Sequence, residues 1–517
     1  MFDWTVLGSF VGYLFVMLWI GFFFSKKQSN LGDYYLGGRK MNKWVVALSA
    51  QASDMSGWLL MGLPGAIYLG GFSEAWIGIG LLIGTYLNWK IVAQRLRRYS
   101  QVCGDSITIP DFICNRFRDK TGASRVIAAV IILVFFTFYT ASGFVGAAKL
   151  FSTIFPISYS TALWIGAAVV VSYTLLGGYM AVCWTDFIQG SLMFVAIVLV
   201  PAIVICDAGG FAATVDSLNE INPFLQSLFT NASTGKAVGF IGLVSCMAWG
   251  LGYFGMPHIL VRFMSIDSPA EVKGSRRIAT SWVTVSLAAA GVIGLVFHLF
   301  LKQRGLTLAD VGNDPEKCFM VMINSIFSNG FAARVFAGVL LSAILAAIMS
   351  TADSQLLVSA SSFTNDIYRR VKKSASNREL VMISRLAVAA VALVAAFMSM
   401  NQESDFFKAV MKMVSFAWGG FGAAFGPLIL LALFWRRVNL AGAVSGMVVG
   451  TVTCFVWKFV LSGYAADYPI FGLYELAPGF VLSFAVTVVV SLLTARPSAE
   501  MLAEFDRVDA ETDRKQA

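Results

Sequence analysis

The chain has 517 residues, 58% of them hydrophobic and only 13% charged. A soluble domain carries about 25% charged residues, so this composition excludes an ordinary soluble enzyme or binding module and points to a protein that crosses a membrane many times. The net charge of +9 does not signal nucleic-acid binding, because the lysines and arginines cluster between apolar runs rather than forming a basic domain.

Apolar runs long enough to span a bilayer fall at 5–25, 44–69, 73–93, 124–152, 160–178, 185–206, 235–256, 277–301, 331–360, 381–400, 407–435, 439–462 and 472–494. That is thirteen. The first follows Met1-Phe2-Asp3 with no basic n-region or small-residue cleavage site, so it is expected to be a retained span. Lys26-Lys27, Arg39-Lys40, Arg95 to Arg125, Arg262 to Arg277, Arg369 to Arg378, Arg436-Arg437 and the charged tail fall on one side. The turns near 70–73 and 153–159 and the acidic or neutral loops at 207–230 and 401–406 fall on the other. Lys302, Arg304 and Lys317 interrupt the pattern, accompanied by Asp310, Asp314 and Glu316. The positive-inside rule expects the N-terminus outside and the C-terminus in the cytoplasm, which an odd number of spans allows. The seven cysteines are scattered without ligand spacing, and with only two histidines a His/Cys metal site is not expected.

The second span carries Ala50-Gln51-Ala52-Ser53-Asp54-Met55-Ser56-Gly57-Trp58 at its centre. A mid-membrane aspartate costs about 2.5–3.5 kcal/mol on insertion scales, so it faces a cavity or a partner. Ser53, Asp54, Ser56 and Gly57 are weak helix formers whose oxygens compete for the backbone, which predicts a break near Ser53–Gly57. Broken backbone at this depth is tolerated only where it is buried or lines a water-filled site. Five spans later, the stretch from Ala248 to His258 (AWGLGYFGMPH) holds three glycines and a proline within eight residues and predicts a second break. Two interrupted spans at corresponding positions point to a transporter of inverted repeats, with the site between the breaks.

Span nine contains Ser350 and Thr351, with Ala347 one turn earlier. Their oxygens, with unwound carbonyls at Ala52 and Met55, suit a hard cation such as sodium. Helix hydroxyls equally back-bond to carbonyls of their own helix, and the residues alone leave both readings open. Asp186 begins span six, and Asp353 lies three residues past Ser350 on nearly the same helical face. Either can cap a helix or bond a lysine or arginine at the membrane surface. Trp58, Tyr139, Trp249 and Tyr253 lie on or near the broken spans and either wall a small-solute pocket or pack against lipid and neighbouring helices. No Walker loop, GxSxG, HExxH or Rossmann fingerprint is present, so no enzyme is expected.

The stretches AQASDMSGWLLMGLPGA at Ala50 to Ala66, Trp184-Thr185-Asp186, WGLGYFG from Trp249, LSAILAAIMST at Leu341 to Thr351 and FAWGGFGAAFGP at Phe416 to Pro427 resemble the sodium/solute symporter family, above all its proline-carrying branch. The likeness runs nearly end to end. It implies an all-α polytopic membrane protein of LeuT type: inverted five-helix repeats at 44–206 and 235–435, an extra span at 5–25, two more within 439–494, and a cytoplasmic tail at 495–517. It implies a sodium site of Ala52, Met55, Ala347, Ser350 and Thr351, supported by Asp54. It implies an L-proline pocket of Ser56, Gly57, Trp58, Tyr139, Trp249, Tyr253 and Pro257, with Arg39 serving coupling. Sodium-driven L-proline import across the cytoplasmic (inner) membrane by a monomer embedded in the lipid bilayer is the expectation. The alternatives are another small amino or carboxylic acid, or a solute sensor without transport, against which the short tail argues. One departure stands out: Ala352-Asp353-Ser354 follows the Ser-Thr pair where that branch has small uncharged residues. With Asp186, at a position some family members use for a second cation, this implies that Asp186, Asp353 and Ser354 approach one another as a second cation-binding or proton-sensitive site. The alternative makes Asp353 a cytoplasm-facing surface group.

Overall fold

The computed structural model describes residues 2–25, 31–175 and 178–513. Lys26 and Lys27, expected at the basic end of the first span, lie outside them. Among the described residues thirteen helical passes follow one another: α1 (Trp4–Ser25), α2 in halves α2a (Lys43–Asp54) and α2b (58–70), α3 (75–102), α4 (Ala123–Ile154), α5 (Tyr159–Thr174), α6 (Tyr179–Asp207), α7 in halves α7a (Phe240–Gly255) and α7b (Pro257–Ser265), α8 (Val272–Arg304), α9 (Phe331–Val371), α10 (Asn377–Ser399), α11 (Val410–Phe434), α12 (Leu440–Phe459) and α13 (Leu476–Leu493). Ten helices among the described residues are individually long and apolar enough to cross a membrane, and the bent pair α7a–α7b makes an eleventh. α5, with 16 residues, is shorter, and the run Trp58–Val102 holds both α2b and α3, which reverse at Gly71–Glu74.

Several ends differ from the hydropathy reading. α7 continues to Ser265 rather than stopping near 256, α8 begins at Val272, and α9 runs on to Val371. Hydropathy windows close at the first charges, whereas a helix continues through arginines and lysines whose apolar stems pack along it. Where polar residues do stop the chain they cap it: Asn42, Ser158, Ser376 and Asn439 accept first-turn amides of α2, α5, α10 and α12.

α9 and α11 form the centre, with 83% and 94% of their most apolar stretches buried, against 22% for α1 and 28% for α13. α12 and α13 pack on each other and on α11 at the periphery. Large apolar side chains such as Trp4, Phe15, Trp19, Phe240 and Phe331 face outward, as a lipid solvent requires.

On the face opposite the basic loops, Lys149 of α4 is held by Asp314 (2.8 Å) and Glu316 (2.6 Å). Glu316 also accepts the amides of Val410 (3.0 Å) and Met411 (2.9 Å), capping the start of α11. The acids of the loop before α9 thus match a lysine from span four and pin the loop over the bundle.

Candidate functional site

α2a ends at Met55, where the backbone leaves the helix (φ −81°, ψ 71°) and the Ser56 amide turns back to the Asp54 carbonyl at 2.9 Å. The Ser53 hydroxyl bonds the Ala50 carbonyl (3.3 Å), the side-chain competition expected of this stretch. α2b opens in a wide turn over Trp58–Gly62, in which the Leu63 amide reaches back to Trp58. The carbonyl of Ala52 faces α9, where the Ser350 hydroxyl donates to it at 2.8 Å and the Thr351 hydroxyl lies at 3.5 Å. Ser350 is farther from its own-helix acceptor, the Ala347 carbonyl (3.3 Å). The Ser350 hydroxyl thus has two acceptors, the cross-helix one being the shorter. Ala52, Ala347, Ser350 and Thr351 converge with neutral oxygens, a donor set that fits a small hard cation. Met55 is buried at the break, and its amide serves the Gln51 carbonyl (2.8 Å) along its own helix.

Asp54 is fully buried. Its Oδ2 accepts the Tyr253 hydroxyl at 2.5 Å, and its Oδ1 has no hydrogen-bond partner among the described residues. Its carbonyl accepts the Trp58 indole (3.0 Å) and the Tyr139 hydroxyl (3.4 Å). Two residues expected in different roles, Asp54 beside the ion and Tyr253 in the pocket, are thus one hydrogen-bonded pair joining the two breaks.

The second break is a 3₁₀ turn over Trp249–Gly255 rather than an open gap, followed by Pro257 as first residue of α7b and a bend of 46°. Its glycines serve close approach. A Cβ on Gly250 would lie 2.3 Å from the Gly80 carbonyl oxygen, and one on Gly84 2.2 Å from that of Gly250. The Trp249 carbonyl takes the Trp418 indole N–H from α11 at 2.8 Å, and that of Tyr253 takes the Asn88 amide from α3 at 2.9 Å. Asn88 carried no signal in the sequence. The Trp249 ring stands 6.2 Å from Trp58, and Tyr253 meets Trp418 edge-on at 5.0 Å. Ser56 accepts the Trp58 amide (3.4 Å), and Gly57 packs beside Ile348. Ser56, Gly57, Trp58, Tyr139, Trp249, Tyr253 and Pro257 are all buried, so in this conformation the aromatic wall is closed to bulk water. Pro257 sets the bend; the neighbouring His258 meets the Tyr139 ring edge-on at 6.4 Å.

Arg262, read from sequence as part of a surface cluster, is 1% exposed. It donates to Asp186 Oδ2 (2.9 Å), Ser354 Oγ (2.6 Å), Ser49 Oγ (2.9 Å) and the His258 carbonyl (2.6 Å), tying α7b to α6, α9 and α2a. Ser49 also donates to Asp186 (2.6 Å). Asp353 is fully buried, not a surface group, with Oδ1 3.3 Å from the Ser354 hydroxyl. Asp186 Oδ1 and Asp353 Oδ2 have no hydrogen-bond partner among the described residues. The hydropathy window that ended α7 early hid this arginine; its spacing of four from His258 on one helix was the available signal.

Arg39 lies away from this centre, on the basic face. It bonds Asp105 (2.9 Å), Ser100 (3.1 Å) and the carbonyls of Met264 (2.7 Å) and Ser106 (2.8 Å), latching the ends of α3 and α7b. Burial holds its guanidinium below the ordinary arginine range, and Asp105 partly offsets that.

Paired broken helices, cation-fitting oxygens beside one break and an aromatic wall between the two define a secondary transporter of inverted repeats. Residues 34–450 match the model of the sodium:solute symporter family. The chain is 46% identical to the high-affinity proline transporter PutP of Bacillus subtilis (95% of this chain, 98% of the relative) and 45% identical to the sodium/proline symporter of Escherichia coli K12 (98% and 96%). It belongs to the sodium:solute symporter family, and it is a transporter rather than an enzyme. Its fold is that of a solved Na+-coupled sialic acid symporter (TM-score 0.76, 19% identity, 96% of this chain and 100% of that one). Mhp1, a nucleobase-cation-symport-1 family transporter, is a more distant match (TM-score 0.54, 13% identity, 92% and 99%).

Proposed function

We propose that this chain imports L-proline across the cytoplasmic membrane, coupled to sodium, by alternating access. The observation that carries the reading is the convergence of Ser350 and Thr351 on the Ala52 carbonyl freed at the α2 break. The proline transporters among its relatives supply the substrate. Sodium held by Ala52, Met55, Ala347, Ser350 and Thr351 orders α2 against α9, and Asp54 passes that order to Tyr253. Proline sits among Ser56, Gly57, Trp58, Tyr139, Trp249, Tyr253 and Pro257. Its carboxylate takes amides at the broken-helix ends, and its ammonium lies over the aromatic faces. By linkage, each ligand raises affinity for the other by the same factor. One sodium crossing 100 mV supplies about 2.3 kcal/mol, roughly a 50-fold solute gradient.

In this reading the repeats are 44–206 and 235–435, the basic face is cytoplasmic with the N-terminus outside, and the protein works as a monomer. Arg39 stabilises closure on the cytoplasmic side. Asp186 and Asp353 face a single guanidinium, Arg262, and the remaining negative charge is balanced by a second cation or a proton, with Ser354 as a further ligand. Asp353→Ser is then expected to change the sodium Hill coefficient or the pH profile of uptake; no change in either sinks that second site.

The test is labelled L-proline uptake into liposomes containing only this protein, with and without an inward sodium gradient. Sodium-driven accumulation that collapses in Thr351→Ala supports the reading. Uptake indifferent to sodium overturns the coupling ion, and no proline uptake overturns the substrate.

A further inference from the structure

A groove of about 970 Å³ opens between the basic-face ends of α3 and α8, beside the end of α11. Its charged lining is Lys90 and Arg95 of α3 with Lys273 and Arg276 of α8, and among the described residues no aspartate or glutamate lines it. Glu271, just before α8, pairs instead with Lys43 (3.3 Å). Lys90, Lys273 and Arg276 form no ion pair among the described residues; Lys90 and Arg276 lie over the Tyr86 ring, 5.6 and 5.7 Å from its centre. Arg95 is only 6% exposed. It gives Nη1 to Asp509 of the helix Ala499–Asp513 at 2.6 Å, while its Nε and Nη2 have no hydrogen-bond partner among the described residues. Four positive side chains around one cavity, one of them buried with unused donors, call for an anion. The groove also has an apolar side: Trp89 is buried at its wall, and the exposed Ile91 and Phe434 carry it onto the outward-facing surface, where Tyr86 lies under Lys90. A soluble anion has no use for that side.

We propose that this groove binds the headgroup of an anionic phospholipid. Arg95, Arg276, Lys90 and Lys273 hold the phosphate, and the acyl chains run along Ile91 and Phe434. Basic pockets between helices at the cytoplasmic surface take such headgroups, and aromatic side chains mark the same depth. The placement in the inner leaflet rests on the proposed orientation; the binding itself does not.

The test uses the full-length protein in neutral detergent, titrated with phosphatidylglycerol and read by native mass spectrometry. One retained lipid per chain is expected. The triple variant Lys90→Gln, Lys273→Gln, Arg276→Gln is expected to weaken retention at least about tenfold, and the exposed Lys273→Gln alone about threefold. Arg95 is left intact because it holds the helix Ala499–Asp513. A charge-matched control on the opposite face, Lys302→Gln, Lys408→Gln, Lys412→Gln, should bind as the unaltered chain does. Undiminished retention in both the triple and the single variant overturns the proposal. So does equal retention of phosphatidylcholine, which means a merely apolar groove, or displacement of the lipid by millimolar inorganic phosphate, which means a free-anion site. The assay needs no transport, so absent proline uptake and absent lipid binding are separate results.

Discussion

The breaks in α2 and α7 have similar sequence cues and opposite fates for the backbone they release. At α2 the freed Ala52 carbonyl meets hydroxyls of α9, which can equally face a cation. At α7 the Trp249 and Tyr253 carbonyls are closed off by the indole of Trp418 and the amide of Asn88. The α2 break leaves the Ala52 carbonyl facing hydroxyls, although its Asp54 carbonyl is taken by the Trp58 indole and the Tyr139 hydroxyl. The α7 break commits its own to protein donors and uses its glycines to seat a kinked, aromatic-bearing segment against α3 and α11. Broken backbone in a membrane must be satisfied either way, and the choice of partner separates a carbonyl met by hydroxyls from a shaped wall.

The two breaks should respond differently to substitution, and the largest effect is expected at the glycine contact. Gly84→Val is expected to prevent the α3–α7 approach, because even a Cβ meets the Gly250 oxygen at 2.2 Å. The cost exceeds about 3 kcal/mol, read as loss of a monodisperse peak in detergent size-exclusion; a folded, active Gly84→Val sinks the close-approach account. Next, Ser350→Ala should leave that peak intact and raise the half-saturating sodium concentration of uptake about tenfold or more. An unchanged sodium curve returns Ser350 to ordinary back-bonding. Third, Asp54→Ala and Tyr253→Phe should be non-additive in sodium and proline affinity, with a coupling of about 1–3 kcal/mol, since each removes the same 2.5 Å bond; additivity would show that the breaks act separately. The smallest effect is Trp418→Phe, which strips the donor from the Trp249 carbonyl. A loss of about 1–3 kcal/mol in thermal stability is expected with the sodium curve moved less than about twofold, and a sodium shift matching that of Ser350→Ala would erase the distinction.

Much of the fold is legible in the sequence, for reasons that are local. Thirteen apolar runs have to become helices, because a helix satisfies its backbone within one segment. The polar run Ser53 to Gly57 has to interrupt one of them. Ser350 and Thr351 are candidates because hydroxyls in a spanning helix are few enough to notice. Asn88 is not legible: an asparagine in span three has many uses, and its bond to the Tyr253 carbonyl spans 165 positions. Arg262 misleads in the other direction, since a charge next to a loop reads as a surface charge until three other helices are seen to surround it.

Hydropathy and helix propensity act over a turn or two of chain. They are therefore enough to set the membrane class, the passes, the positions of both breaks and the residue types able to face an ion. Helix packing, in contrast, selected which freed carbonyl meets a hydroxyl and which is capped. It also paired Asp54 with Tyr253, made Arg262 the buried partner of Asp186 and gathered four cations into one groove. Those outcomes depend on distances of 2.5–3.5 Å between helices far apart in the chain, and no local pattern carries them.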